Sequence, residues 1–164
     1  MSLPEELNLQ EASVAELLRL YGRILQVLTL RKIARTANSP PGDYAEFLVR
    51  EALGGTLAPN SEKSWDILTA DARRVQVKCR IVTNAVDRGQ RQLSLIRSFD
   101  FDDLVIVLFN ADYSIRSAVV LPVEVVESKA VYRPYVNGHV VFATDGLLHD
   151  PGAIDITDRL RAAG

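Results

Sequence analysis

The sequence predicts an α/β or α+β domain: a mixed β-sheet of three or four strands flanked by helices. Three segments carry that prediction. Residues 11–35, EASVAELLRLYGRILQVLTLRKIAR, place Val14, Leu17, Leu18, Tyr21, Ile24, Leu25, Leu28 and Ile33 at helical spacings. Residues 104–109, LVIVLF, form an unbroken apolar run, which reads as a central strand buried on both faces. Residues 64–82, SWDILTADARRVQVKCRIV, read as a β-hairpin.

Taken in order, the first helix covers residues 11–35, with Gly22 its weak point, and helps to flank the sheet. TANSPPGD interrupts it with two prolines and a glycine. DYAEFLVREAL, residues 43–53, makes a second helix closed by Gly54-Gly55. The loop TLAPNSEKS leads into the hairpin. After LVIVLF, NADYS makes a turn and IRSAVVLP forms the neighbouring strand. VEVVESKA after Pro122 forms a short helix, HVVFAT (139–144) a late strand, and DPGAIDITDRLRAAG ends in a helix. No repeat or long linker divides the chain. We expect one domain over 1–164, with an N-terminal helical segment (1–38) and a core (39–164).

At 164 residues, such a domain buries roughly 68–70% of its unfolded surface. Apolar residues make up 48% and charged residues 24%, ordinary for a soluble domain. Cys79 is the only cysteine, which excludes an internal disulfide and a stapled secreted scaffold. No run resembles a signal peptide or reaches the ~18 apolar residues of a membrane span, so a cytoplasmic location is expected. The formal charge of −2 does not advertise a nucleic-acid binder. Residues 73–97 nevertheless hold seven basic side chains, including Arg74, Lys78 and Arg80, against the single acid Asp87. That asymmetry makes either a local phosphate-attracting patch or a solvated sheet face.

The hairpin carries the chemistry. Its second arm alternates Val75, Val77, Cys79 and Ile81 on one face with Arg74, Gln76, Lys78 and Arg80 on the other. Asp66 stands on the first arm, and Glu46 on the helix before it. A three-residue loop, Asp71-Ala72-Arg73, would pair position 70 with 74 and set Asp66 opposite Lys78. A two-residue loop would turn the aspartate away unless a bulge restored it.

GDYAE ending at Glu46, WD with Asp66, and QVK with Gln76 and Lys78 resemble the PD-(D/E)xK nuclease superfamily, the restriction-endonuclease-like fold. The likeness covers roughly residues 40–121. Gln76 replaces the commoner acid, as in the variant found in Mrr-type restriction endonucleases. SPPGDYAEFLV followed by QVK also resembles an uncharacterised bacterial family of this fold.

The resemblance implies a nuclease dependent on Mg²⁺ (or Mn²⁺), acting on DNA. Phosphodiester hydrolysis needs charge neutralised on the phosphoryl oxygens and a water delivered in line. Mg²⁺ takes oxygen ligands and is commonly held by one or two carboxylates. Asp66 would be the main ligand and Gln76 a weaker, neutral one. The backbone carbonyl of Val77 would contribute by analogy, and Glu46 would hold the metal directly or through water. Lys78 would orient the attacking water or stabilise developing charge.

Ser61, Lys63 and the neighbouring Asn60 and Ser64 would touch nucleic acid from the loop before the hairpin, and Arg74 and Arg80 from the hairpin itself. Cleavage of two strands would suit a homodimer.

Structural alternatives stand beside these. Asp43 and Glu46 fit a helix cap with its partner three residues on. Gln76 and Lys78 could simply face water. Trp65 reads as a core anchor, His139 and His149 as structural, Cys79 as inert, and FDFDD (99–103) as a solvated strand entrance. The alternative function is a non-catalytic domain of the same fold that binds nucleic acid or a protein. A further one is a protein-interaction module with no nucleic-acid role.

Overall fold

The computed structural model describes residues 9–35, 40–59, 61–84 and 86–164. Its centre is a six-stranded mixed sheet of order β1-β2-β3-β4-β5-β8. The strands are β1 (Gly55–Leu57), β2 (Ile67–Thr69), β3 (Arg74–Ile81), β4 (Asp103–Phe109), β5 (Ile115–Pro122) and β8 (Ile154–Asp155). Only β3 and β4 run parallel; every other neighbouring pair is antiparallel. A separate two-stranded ribbon joins β6 (Val131–Arg133) to β7 (Gly138–Val140). The helices are α1 (Val14–Leu30), α2 (Pro41–Leu53), α3 (Val123–Lys129), α4 (Asp145–Leu148) and α5 (Thr157–Ala163).

All seven residues of β4 are buried, as its continuous apolar run requires. On one face, Val75, Val77, Val105, Val107 and Phe109 pack under α2 and α5 through Ala45, Leu48, Val49 and Leu160. On the other, Leu104, Ile106, Leu108 and Leu121 pack under α3 and α4 and residues 93–101, with Val126, Leu147 and Ile96 among the contacts. The sheet is therefore covered on both faces, and β3 alternates as its pattern demands.

Several boundaries differ from the sequence expectation. The sheet has six strands because two short segments add edges. Gly55–Leu57, expected as loop, pairs with β2; Gly55 sits at φ 148°, and a Cβ there would collide with the Leu68 carbonyl. Ile154–Asp155 pairs with β5. Of HVVFAT only His139 and Val140 fall in a strand, Gly138–Val140, outside the main sheet, with Phe142 bridged singly to Gln92.

The first helix runs unbroken through Gly22 and stops at Leu30, five residues early. Ser13 and Glu16 start it with a reciprocal capping box, and Lys32 at φ 59° prevents its continuation. It does not flank the sheet, for none of its residues is buried. Its apolar spacing correctly signalled a helix but carried no information about which surface would cover it.

Candidate functional site

The hairpin closes on an odd loop, but one residue earlier than expected. Ile67 lies opposite Val75 and Leu68 opposite Arg74. Thr69 N–H donates to the Arg73 carbonyl at 3.0 Å, leaving residues 70–72 as the loop. Ala72 takes the left-handed conformation, φ 62°, that a three-residue hairpin loop requires.

Asp66 is not opposite Lys78. Its N–H also reaches the Val75 carbonyl, at 2.8 Å, although Ile67 already lies opposite Val75. Two residues of the first arm thus face one of the second, which is the geometry of a bulge. The bulge turns the Asp66 carboxylate to the edge of β3, where its Oδ2 accepts the Val77 N–H at 2.7 Å. The Asp66 carbonyl in turn accepts from Ala58 N–H at 2.8 Å, so the residue is anchored from both sides. Beyond this point β2 has left β3, and the edge of β3 is open. The N–H and C=O of one strand residue leave on the same side, so the Val77 carbonyl also faces the opened edge.

Glu46 comes to this edge from α2. The helix starts at Pro41 with Pro40 as its cap residue and no side-chain cap, so the Asp43–Glu46 capping reading fails. Proline suits the first turn because its missing N–H would have no helical partner. Asp43 instead accepts the Arg35 N–H at 2.6 Å, and Arg35 Nη1 pairs with Glu46 at 3.2 Å. Arg35 Nη2 donates to the Ala58 carbonyl at 3.3 Å. Arg35, Asp43, Glu46, Glu62, Trp65 and Asp66 help to line a cleft of about 170 Å³.

The electrostatics follow from burial and like charge. Burial, then the neighbouring Asp66 charge, pushes the Glu46 carboxyl up to about 7, against the pull of Arg35. Burial also raises Asp66, opposed by its Val77 hydrogen bond and the Lys78 charge. Lys78 is lowered by burial and pulled back by Asp66 and Glu46. Its Nζ donates to the Leu95 carbonyl at 3.3 Å. Asp66 thus acts on both of the other groups, raising Glu46 and opposing the burial that lowers Lys78.

Gln76 is 6% exposed, and its Oε1 has no hydrogen-bond partner among the described residues. It shares with Lys78 the face of β3 opposite α2, by strand alternation. Leaving a buried amide oxygen unpaired costs about 1–3 kcal/mol. An electropositive ligand would recover that cost.

Among the described residues, no three His, Cys, Asp or Glu side chains cluster as a metal-binding group. The donors that do assemble are the Glu46 and Asp66 carboxylates, with the Val77 carbonyl facing the same edge. That all-oxygen set fits a hard cation such as Mg²⁺, which needs only one or two carboxylates. The Asp66 charge raises Glu46, and a cation between the two carboxylates would relieve that repulsion.

The proposed nucleic-acid contacts are spread out. Ser61 and Lys63 are exposed on the loop beside the cleft; Asn60 lies outside the described residues. Arg80 is exposed and its Nε donates to the Gln92 carbonyl. Arg74 is bound to Asp100 and Asp102, and Arg73 to Asp103. The FDFDD acids therefore neutralise the start of the basic segment, which sequence reading alone treated as solvated.

Trp65 packs against the core, and His139 lies against Phe99 and Tyr132 with ring centroids 4.7 and 5.2 Å away. Cys79 is half-buried, and burial pushes its thiol up to about 11, which keeps it inert. Sequence reading missed Arg35, Asp43 and Glu62. Arg35 lay inside the predicted first helix, and no local pattern marks it as a partner of Glu46.

No helix among the described residues is long and apolar enough to cross a membrane. No family model matches the chain, and no curated protein matches it either.

Proposed function

We propose that this protein is a metal-dependent nuclease of the PD-(D/E)xK type, hydrolysing phosphodiester bonds, with DNA as the substrate to test first. One observation carries the reading. At the point where a bulge parts β2 from β3, Asp66 and Glu46 line one cleft, Asp66 is fastened to the edge of β3 at Val77, and its charge raises Glu46 and supports the charged form of Lys78. Two raised carboxylates beside a lowered ammonium are the kind of perturbed cluster expected where chemistry is done.

Asp66 and Glu46 would hold the cation, with the Val77 carbonyl on the same side. When bound, Mg²⁺ supplies positive charge against the phosphoryl oxygens. Lys78 is half-buried and tethered through Leu95, so its ammonium is placed rather than swinging in solvent. There it orients water and offsets negative charge as the phosphodiester opens. Ser61 and Lys63, on the loop at the cleft, stand ready for backbone phosphates.

The test combines calorimetric titration of Mg²⁺ and Mn²⁺ with cleavage assays on plasmid and single-stranded DNA. The wild-type protein should bind the ion and cleave. Asp66→Asn should lose at least tenfold in ion affinity, and Lys78→Ala should lose at least a hundredfold in cleavage rate with ion binding retained. Equal cleavage by both variants and wild type would remove the assignment.

A second reading, a non-catalytic domain that binds nucleic acid or protein, is favoured by Arg35. Its guanidinium already stands on Glu46 as a built-in cation. This reading expects no Mg²⁺ binding, with any DNA affinity falling steeply with salt.

A further inference from the structure

Seven of the exposed large apolar side chains among the described residues, from Val14 to Leu30, lie on α1. Val14 is 74% exposed, Leu18 65%, Tyr21 48% and Ile24 47%, although these residues follow the i, i+3, i+4, i+7 spacing of a helix built to be covered. The helix contributes nothing to either core cluster. Isolated helices of this length are marginal in water and depend on packing for their stability. At 17 residues it is about 25 Å long.

The same surface continues into a groove of about 760 Å³ beside the C-terminal half of the helix. Ile24, Leu28 and Ile33 line one side of it, and Tyr44 and Tyr113 the other. A stable interface buries roughly 800 Å² per partner, and the groove adds to the surface the helix face offers.

The charges choose the partner. Glu11 and Glu16 stand at the N-terminal end, and Arg31 and Lys32 at the C-terminal end. Antiparallel pairing of two identical helices sets each acidic end beside a basic one. It also opposes the two macrodipoles. A lipid surface would call for a polar face rich in lysine and arginine, whereas α1 has only Arg19 and Arg23 within it.

We propose that α1 docks antiparallel on α1 of a second copy of this chain, around a two-fold axis near Tyr21, with the N-terminal half of each helix entering the groove of the other. A closed two-fold interface of this kind is self-complementary, so it consumes both patches and leads to a dimer rather than a filament. The proposal stands independently of the nuclease reading, because it uses none of the cleft residues.

The test uses the full chain. Sedimentation from 1 to 100 µM should give twice the monomer mass, and Leu18→Glu with Tyr21→Glu should give the monomer. The far-ultraviolet circular dichroism and the cooperative urea transition should be retained in that monomer, which shows that the core is intact. Orientation is read by oxidative cross-linking in a Cys79→Ala background. Tyr21→Cys should cross-link to itself, and Val14→Cys should cross-link to Leu28→Cys in a mixture but not to itself. A monomer at 100 µM, a dimer that survives the double substitution, or a Val14→Cys self-cross-link would overturn the proposal. Monomer that sediments only with anionic phospholipid vesicles would overturn it as well, assigning the face to a membrane surface.

Discussion

Glu46 is the residue whose protonation is most informative. Its carboxyl titrates near 7 in the folded chain against an ordinary value of 4.5. The folded state therefore holds the proton more tightly than the unfolded state does. Its contribution to stability is complete below about pH 4.5 and is lost as pH rises through about 7. The metal-free protein should be more stable at pH 5 than at pH 8, by up to about 3 kcal/mol from this group. Urea midpoints at the two pH values check this, and Glu46→Gln should flatten the difference.

Gln76 makes the complementary case. Its amide oxygen is buried without a partner among the described residues, so Gln76→Glu puts an uncompensated carboxylate in its place. In the absence of metal the variant should lose about 1–3 kcal/mol of stability. If the cleft takes a cation, Mg²⁺ should bind it at least tenfold more tightly than wild type, read by calorimetry. Unchanged affinity would place Gln76 outside the ligand set.

At the scale of elements, the hairpin decides where the site stands. The loop at residues 70–72 sets the register, and Ala72 holds a left-handed conformation that costs a non-glycine residue about 1 kcal/mol. Ala72→Gly should therefore raise stability by up to about 0.5 kcal/mol, after the greater freedom glycine gives the unfolded chain. A denaturation midpoint checks it. The bulge at Asp66 was legible only as one of two ways to bring the aspartate round. The alternation of β3 was plain, because period 2 is written directly in Val75, Val77, Cys79 and Ile81. Whether Asp66 met Val77 or Lys78 was not, since that depends on a one-residue shift in the loop.

Across the whole molecule, the charge asymmetry seen along the chain largely cancels in space at one end. Arg73 and Arg74 are met by acids from 100–103, nearly thirty residues away. Arg91 likewise meets Asp145 at 2.6 Å. The exposed cations of the candidate interface are thus fewer than the segment suggests, with Lys63 and Arg80 among those remaining.

The amino-acid order alone determined the central buried strand, the alternating hairpin, the helices after Pro40 and Pro122, and the four residues worth watching. Each of these depends on neighbours within a few positions, and periodicity records such neighbours. Only the tertiary structure decided that Glu46 is free of capping duty, that Arg35 stands on it, that the Gln76 amide oxygen is buried with no partner among the described residues and that α1 joins neither core cluster. Those outcomes depend on which surfaces meet through space. A side chain's burial and its charge partners come from segments far along the chain, and no local spacing encodes them.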